Sequence, residues 1–182
     1  DVPRLEHLIK GTTLAQIFDT YFRNPQWQTE ITKGLNAWEA QMRYEFYPGA
    51  LDLLHDLKRN GVKCAVVTSS NIPKMESVRR QIEHFDALFD KVLTAEDFAA
   101  SKPAPDCYLL GAKVFGADID ECVVFEDAYT GLQAGMDSGI FTIGITTGHT
   151  REEMADRCNY VIESYEGLTY EGLVRILGEN FV

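Results

Sequence analysis

The sequence has no run of basic residues and no long apolar stretch. Its 182 residues contain 17 Lys and Arg against 28 Asp and Glu, so the formal net charge is −11. Because a strongly acidic chain is repelled by nucleic acid and by anionic membranes, we expect neither as a partner. The apolar runs are far shorter than the roughly 20 residues of a membrane-spanning helix. With 45% hydrophobic and 25% charged residues, the composition is typical of a soluble globular protein, and nothing in it indicates an oligomeric state.

Cysteine pairs with the spacing of a metal site are also absent. The four cysteines lie far apart, at Cys64, Cys107, Cys122 and Cys158. Three of them sit in apolar runs, which predicts buried thiols in a reducing compartment. Because charged residues interrupt the first twenty positions, we expect no secretory signal there and a cytoplasmic protein. The chain begins at Asp1 rather than at a methionine, which we interpret as a sign of residues upstream.

The front of the chain has a helical pattern. Its apolar residues recur on one helix face, at Leu14, Ile17, Phe18, Tyr21 and Phe22. Thr12-Thr13 is a candidate N-cap, and Asn24-Pro25 is expected to end this helix. A second helix is predicted from Ile31 to Met42. Trp27 and Trp38 are expected in the core of this helical segment.

After residue 49 short apolar strands alternate with helices. The strands are predicted near Lys63–Thr68, Lys91–Leu93, Cys122–Phe125, Phe141–Ile145 and Tyr160–Ile162. The helices are predicted near Leu51–Leu57, Pro73–His84, Asp106–Phe115, Tyr129–Ser138, Glu152–Arg157 and Tyr170–Leu177. Continuous apolar strands separated by helices are typical of a parallel sheet covered on both faces. The fold class is therefore predicted as α/β, with a helical segment at 1–47 and a doubly wound core at 48–182.

Polar clusters follow three of these strands. They are Thr68-Ser69-Ser70-Asn71, the Lys102 loop from Ser101 to Asp106, and Glu126-Asp127. Because ligands of open parallel sheets bind outside the carboxyl ends of the strands, we expect the clusters to converge at one edge. Hydroxyl groups, an ammonium and two carboxylates together suit a phosphate ester and a divalent cation.

Each cluster also has a simpler interpretation. Thr68 to Asn71 could cap the helix near Pro73, Lys102 could be a solvated surface lysine, and Asp127 could be the N-cap of the 129–138 helix. Two adjacent carboxylates at a buried strand end are harder to explain in this way, because like charges there are costly without a cation or hydrogen bonds. The interpretation as one shared site depends on the fact that the three clusters follow successive strands.

The same residues resemble the haloacid dehalogenase superfamily, in the branch of β-phosphoglucomutase and small sugar-phosphate phosphatases. The run 66–70 is similar to the second motif of that family, and 99–106 to the third, with its lysine. The run 123–127, followed by 131–135, looks like the fourth, metal-binding motif. The resemblance covers nearly the whole chain and implies a Rossmann-like core with a small α-helical cap.

The resemblance also implies roles for the site residues. Thr68 and Ser69 would bind the phosphoryl group, and Lys102 would neutralise the charge on it and on the nucleophile. Asp127, with Glu126 directly or through water, would hold Mg²⁺. The implied reaction is magnesium-dependent hydrolysis of a small phosphorylated metabolite, such as a sugar phosphate, through an aspartyl-phosphate.

On the substrate side, the helices after residue 10 look like the cap that closes over such a site. Lys10, Gly11, Thr12 and Asn71 are the residues expected there, and His7 is a further candidate. In β-phosphoglucomutases the matching run is K-G-x-x-R, where the arginine binds the second phosphate of the substrate. Leu14 stands in its place and cannot make that charge-assisted contact, which disfavours the mutase.

The first motif of the family, a strand that ends in D-x-D-G, has no match in this sequence. Its first aspartate is the nucleophile and its second the acid/base; Asp1 has no preceding strand and the wrong spacing for either role. We hypothesise that the natural protein has this central strand upstream of the sequence. The chain as given is then expected to be inactive.

Other functions remain as alternatives. A β-phosphoglucomutase-like phosphomutase is the nearest enzymatic one, and a non-catalytic relative that binds a ligand or partner belongs to another class. Haloacid dehalogenation needs no metal and would leave Glu126-Asp127 without a purpose. A signalling receiver domain has its acidic pair before its Lys-Pro pair, whereas here Lys102-Pro103 precedes Glu126-Asp127.

Overall fold

The computed structural model describes Ile9 and residues 12–180, and strands and helices alternate from residue 50 onward. The strands are β1 (Ala65–Val67), β2 (Lys91–Leu93), β3 (Val123–Glu126), β4 (Phe141–Ile145) and β5 (Tyr160–Ile162). The helices are α1 (Leu14–Tyr21), α2 (Pro25–Glu39), α3 (Ala50–Arg59), α4 (Ile72–Gln81), α5 (Phe85–Leu88), α6 (Asp106–Phe115), α7 (Tyr129–Ser138), α8 (Arg151–Met154) and α9 (Tyr170–Asn180). None of these helices has both the length and the apolar composition needed to cross a bilayer.

The strand pairs of the described residues are parallel and form two sheets. β1 pairs with β2, with Val66 opposite Val92. β3, β4 and β5 form the second sheet in that order, with Phe125 opposite Ile143. Parallel strands connected by helices make a doubly wound α/β fold, so the predicted fold class is confirmed.

Apolar side chains cover both faces of the β3–β5 sheet. On one face, α3 and α9 pack against the strands in a cluster of Leu53, Leu57, Phe141, Ile143, Ile145, Ile162 and Leu173. On the other face, α6 and α7 contribute to a cluster of Phe98, Cys107, Tyr108, Ala112, Val124, Ala134 and Ile140. β4 is buried at every position, which explains why its sequence is apolar except at Thr142 and does not alternate.

Two helices, α1 of 8 residues and α2 of 15, precede the core. α1 begins after Thr13, whose side chain accepts the N–H of Gln16 while the Gln16 side chain accepts the N–H of Thr13. This capping box confirms the predicted start of the helix. α2 begins at Pro25 rather than at Ile31, because Asn24 caps it and proline is favourable in the first turn. The division of the chain at residue 47 stays a prediction.

Two expectations for the helices are wrong. Trp27 and Trp38 are 59% and 61% exposed and therefore do not form the core of the front segment. Glu39 is the buried residue at the end of α2, where its carboxylate lies 3.1 Å from the ammonium of Lys74. The helix predicted to reach His84 ends at Gln81, and His84 adopts a left-handed conformation with φ of 58°.

Gly49 joins the front helices to the core in a conformation that glycine alone adopts without strain. Its φ is +79°, and a Cβ at this position would overlap the backbone nitrogen of Glu166. Gly61 has a similar φ of +75°, but nothing lies within 4 Å of a Cβ built there. A comparison of the same substitution at Gly49 and at Gly61 therefore separates the effect of backbone conformation from that of close packing.

We expect Gly49→Ala to lower the free energy of unfolding by about 2–5 kcal/mol and Gly61→Ala by about 1–2 kcal/mol. Both variants force alanine into the left-handed region, and only Gly49→Ala adds a backbone overlap. Urea denaturation of the two variants and the parent chain measures the difference. Equal losses in the two variants would contradict the packing argument.

Candidate active site

Lys102 lies where the carboxyl ends of β1 and β3 meet. Its side chain is 6% exposed, and its ammonium donates to the carbonyl oxygen of Val67, the last residue of β1, at 3.3 Å. It also donates to Oε2 of Glu126, the last residue of β3, at 2.7 Å. The structure thus brings the Lys102 loop and the ends of both strands together at one edge of the fold. It also shows that Lys102 is not a solvated surface lysine.

Both carboxylate oxygens of Glu126 are engaged by donors. Oε1 accepts the backbone N–H groups of Asp127 and Ala128, at 3.0 and 2.9 Å. Oε2 accepts the Tyr108 hydroxyl at 2.6 Å in addition to the Lys102 ammonium. A buried carboxylate with four donors is held in one orientation, so it fixes the position of the lysine in turn.

Tyr108 contacts both members of this ion pair. Its ring centroid lies 4.7 Å from Nζ of Lys102, within the range of a cation–π contact. Burial raises the pKa of the Tyr108 phenol well above its usual value, and the negative charge of Glu126 adds to this effect. The phenol therefore stays protonated and remains a hydrogen-bond donor to Glu126.

Asp127 lies beside Glu126 but has different surroundings. Its Oδ2 accepts the hydroxyl of Thr147, which follows β4, at 2.7 Å. The N-cap of α7 is Ala128, so the interpretation of Asp127 as the N-cap of that helix is wrong. Asp127 is half-buried at the edge where the strands end.

The Thr68–Asn71 turn follows β1, whose last residue accepts a hydrogen bond from Lys102. The Thr68 hydroxyl accepts the N–H of Ser70 at 3.0 Å, and Ser69 is half-buried. Asn71 is the N-cap of α4, where its Oδ1 accepts the N–H of Lys74 at 3.0 Å. Capping, the simpler interpretation of this cluster, is therefore correct for Asn71 but not for Thr68.

The start of α1 lies against the Lys102 loop. Nε2 of Gln16 donates to the carbonyl oxygen of Lys102 at 3.3 Å, and the Ser101 hydroxyl donates to the Thr13 hydroxyl at 3.2 Å. The Thr12 hydroxyl donates to the backbone of Ile9 at 2.7 Å. The remaining predicted cap residues are Lys10, Gly11 and His7, which lie outside the described residues.

The donor set fits a magnesium ion only in part. Mg²⁺ prefers carboxylate oxygens and water, and Asp127 offers a carboxylate at the site edge. To bind a cation directly, Glu126 would have to lose some of its four hydrogen-bond donors. Contact between Glu126 and the ion through water therefore stays a prediction. Within residues 12–180 and Ile9, no group of three or more His, Cys, Asp or Glu side chains has the arrangement of a metal site.

Three side chains at this edge were not predicted: Tyr108, Gln16 and Thr147. Thr147 could have been found, because it follows a strand just as Thr68 and Asp127 do. Gln16 was recognisable only as the partner of an N-cap threonine. Tyr108 carries no local signal in the sequence, because its contact with Glu126 depends on how α6 packs on β3.

Comparison with known proteins identifies similar sequences. The sequence model of the haloacid dehalogenase-like hydrolases matches residues 4–145. Hexitol phosphatase A of Escherichia coli (strain K12) is 31% identical over 168 residues, which cover 92% of this chain and 72% of that protein. Protein SUPPRESSOR OF QUENCHING 1, chloroplastic, of Arabidopsis thaliana is 37% identical over 101 residues, which cover 56% of this chain but 10% of that protein.

A solved structure supports the same grouping. The crystal structure of CbbY from Rhodobacter sphaeroides in complex with phosphate has a TM-score of 0.78 and 25% sequence identity to this chain. The alignment covers 93% of this chain and 80% of that one. The similarity therefore includes the front helices as well as the sheet.

Proposed function

Because the chain belongs to the haloacid dehalogenase-like hydrolase family, we propose that it carries the phosphate-binding edge of a phosphatase for small phosphorylated metabolites. A sugar phosphate is the substrate class that we expect. A relative named as a hexitol phosphatase and a phosphate complex with the same fold support this class. The observation that carries the proposal is the buried ammonium of Lys102, held between the ends of β1 and β3.

Lys102 and Thr68 supply the donors that a phosphoryl group requires. An ammonium has three N–H donors, and the described residues accept two of them, at Val67 and Glu126. The third is available to a phosphoryl oxygen at the strand ends. The hydroxyl of Thr68, one residue after Val67, is the second donor in the proposal. Both groups are fixed before the substrate arrives, which favours stabilisation of the charge that develops during phosphoryl transfer.

Magnesium is part of the proposal. Asp127 is the described residue that would bind it directly, and Glu126 would contribute through water. The bound ion would neutralise negative charge on the phosphoryl oxygens. Thr147 would orient the Asp127 carboxylate through its 2.7 Å hydrogen bond.

The proposed chemistry is a two-step transfer through an aspartyl-phosphate. An aspartate outside this sequence attacks phosphorus, the bond from phosphorus to the substrate oxygen breaks, and that oxygen takes up a proton from an acid. Water then attacks the phosphorus of the acyl phosphate and releases the carboxylate and inorganic phosphate. Lys102 and Thr68 bind the non-reacting phosphoryl oxygens in both steps. Residues 1–182 alone should therefore bind phosphate esters without turning them over.

A cytoplasmic location also belongs to the proposal. All four cysteines are free thiols. Burial raises the pKa of each thiol above its usual value. Protonated, unpaired thiols suit a reducing compartment.

Replacing Thr68 with valine is expected to weaken the binding of a hexitol phosphate by about tenfold or more, because a hydrogen bond to a charged group contributes roughly 1.5–3 kcal/mol. Isothermal titration calorimetry with the parent chain and the variant measures the change. Thr29→Val is the matched control, since this threonine is exposed on α2. Equal affinities of the Thr68→Val and Thr29→Val variants would refute the assigned role of Thr68.

A further inference from the structure

The loop between β4 and α8, residues 146–150, lies beside the turn that carries Asp127. β3 and β4 pair in parallel, with Glu126 opposite Gly144, so the residues that follow the two strands leave the sheet at the same edge. One side-chain contact joins the loop to the turn, because the Thr147 hydroxyl donates to Oδ2 of Asp127 at 2.7 Å. The position of the 146–150 loop therefore decides where the hydroxyl that orients Asp127 lies.

A second contact joins the same two segments. The imidazole of His149 stacks on the ring of Tyr129, with the centroids 3.9 Å apart and the planes at 23°. Tyr129 comes two residues after Asp127, and His149 comes two residues after Thr147. The two segments are thus joined at two matched points, one polar and one aromatic. The His149 side chain is only 18% exposed, so the stack is largely removed from water.

Tyr129 is a fixed support for this stack. It is the first residue of α7, and the guanidinium carbon of Arg157 lies 4.4 Å from the centroid of its ring, within the range of a cation–π contact. Nε of Arg157 in turn donates to the carbonyl oxygen of Glu153 at 3.1 Å. The Tyr129 ring also packs against a buried apolar cluster of Leu132, Met154, Cys158 and Val161. A side chain that stacks on this ring is therefore held relative to the core.

The 146–150 loop is also fixed at both of its ends. The N–H of Thr146 donates to the carbonyl oxygen of Ile162 at 3.1 Å. Thr150 is the N-cap of α8, in a capping box with Glu153. Between these two points, the ring of His149 attaches the loop to α7.

The stack, rather than an ion pair, is the close contact of His149. Its Nδ1 lies 3.8 Å from Oε2 of Glu153, which is beyond hydrogen-bond distance. The same Oε2 already accepts the N–H of Thr150 at 2.9 Å. The flat ring of His149, and not its charge, is thus the property that holds the loop.

We propose that His149 is a positioning residue for the metal ligand Asp127. Its ring, stacked on Tyr129, holds the 146–150 loop in place, and the loop presents the Thr147 hydroxyl that orients the Asp127 carboxylate toward a divalent cation. The inference rests on the proposed function, because it takes Asp127 as the residue that binds Mg²⁺ directly. It extends that proposal to a residue that would touch neither the ion nor the substrate.

Small displacements matter at such a site. A shift of the loop by roughly 1 Å would lengthen the 2.7 Å hydrogen bond between Thr147 and Asp127 beyond hydrogen-bond range. Mg²⁺ requires nearly ideal octahedral geometry, so a carboxylate without a fixed orientation binds it less well. Loss of a residue that orients a metal ligand typically weakens metal binding by about 10–100-fold.

Binding of Mn²⁺ to the chain of residues 1–182 tests the inference without any turnover. Mn²⁺ takes the same oxygen ligands as Mg²⁺, and electron paramagnetic resonance measures the free ion during a titration. Asp127→Asn tests the ligand itself and is expected to lose binding. His149→Ala removes the ring, His149→Phe keeps a flat ring without the imidazole nitrogens, and Thr147→Val removes the hydroxyl. His84→Ala is the matched control, because the His84 side chain is 80% exposed.

We expect His149→Ala and Thr147→Val each to weaken Mn²⁺ binding by about tenfold or more. The double variant should bind no more weakly than Thr147→Val alone, because His149 acts through Thr147. His149→Phe is expected to stay within about twofold of the parent chain, since it retains the stack on Tyr129. His84→Ala should bind as the parent does. Circular dichroism checks that each variant is folded at the temperature of the titration, and His149→Gln replaces His149→Ala if the alanine variant is unfolded.

The outcomes separate the inference from the proposed function. Parent-like affinity of His149→Ala, or a loss that adds in full to that of Thr147→Val, would overturn the positioning role and leave Asp127 as the ligand. A loss in His149→Phe as large as in His149→Ala would overturn the role of the stack. Parent-like affinity of Asp127→Asn, or no Mn²⁺ binding by the parent chain, would instead contradict the magnesium site of the proposed function, and the positioning role would be refuted with it.

Discussion

Replacing Lys102 with methionine is expected to lower the free energy of unfolding by about 3–5 kcal/mol. The Lys102 and Glu126 side chains are 6% and 10% exposed, and their charged atoms lie 2.7 Å apart. Removing the ammonium would leave a carboxylate in a site that solvent does not reach, with neutral donors as its remaining partners. The desolvation of that unpaired charge causes the loss. Urea denaturation followed by circular dichroism measures it.

The double variant Lys102→Met, Glu126→Gln should recover most of this stability, because both charges are then absent. Arg79→Met is the matched control. Arg79 forms an ion pair with Asp86 at 2.8 Å, but these side chains are 36% and 64% exposed, so the expected loss is below about 1 kcal/mol. If Lys102→Met lowers the free energy of unfolding no more than Arg79→Met does, the buried ion pair contributes no more to stability than the exposed one.

The double variant also separates folding from function. Its predicted stability is close to that of the parent, whereas its affinity for a phosphate ester should be lost with the ammonium. The ion pair is therefore expected to add little to folding stability relative to a neutral pair, whereas its ammonium is needed for binding of the phosphate ester. If this expectation holds, Glu126 and Lys102 are replaceable together without large damage to the fold, and the pair serves to hold the charge that Lys102 presents at the strand ends.

The positions of the strands and the Lys102 loop could be predicted because their signals are local. β4 is covered on both faces, and a strand in that environment is mostly apolar, here at every residue except Thr142, which makes it visible as a run. The rule that polar loops follow the carboxyl ends of parallel strands then brings Lys102 and Glu126 to one edge. Both inferences need only the order of residues along the chain.

The orientation of Glu126 and the exposure of the tryptophans depend on tertiary packing and left no such signal. Glu126 has two donors in its own turn, but the other two come from Lys102 and Tyr108 on a different segment. The sequence around Glu126 is equally consistent with a metal ligand and with a hydrogen-bonded partner of Lys102. Trp27 and Trp38 were placed in a core because large aromatic residues are usually buried, yet α2 directs Glu39 inward, to Lys74. Glu126 and Glu39 each have a charged partner on another element, Lys102 and Lys74, and such a partner cannot be identified from local sequence.

Raising the pH from 10 to 12 is expected to destabilise the fold by about 5 kcal/mol through two buried tyrosines. Burial raises the pKa of Tyr108 and of Tyr165 well above the usual tyrosine value. The negative charges of Glu126 and Asp127 act in the same direction on both. In the unfolded chain these phenols ionise near pH 10. Each contributes stability that is fully present below pH 10 and is lost as the pH rises toward the higher pKa of the folded state, by about 1.4 kcal/mol per unit.

The slope of stability against pH is the quantity that tests this expectation, because the slope reports the difference in bound protons between the unfolded and folded states. Urea denaturation at half-unit steps from pH 9 to 12 measures it for the parent chain. The slope above pH 10 should be shallower in Tyr108→Phe and in Tyr165→Phe. Tyr21→Phe, at a ring that is 40% exposed, is the control and should keep the parent slope. Parent-like slopes in both buried variants would mean that other groups, such as the lysines, set the alkaline limit of this fold.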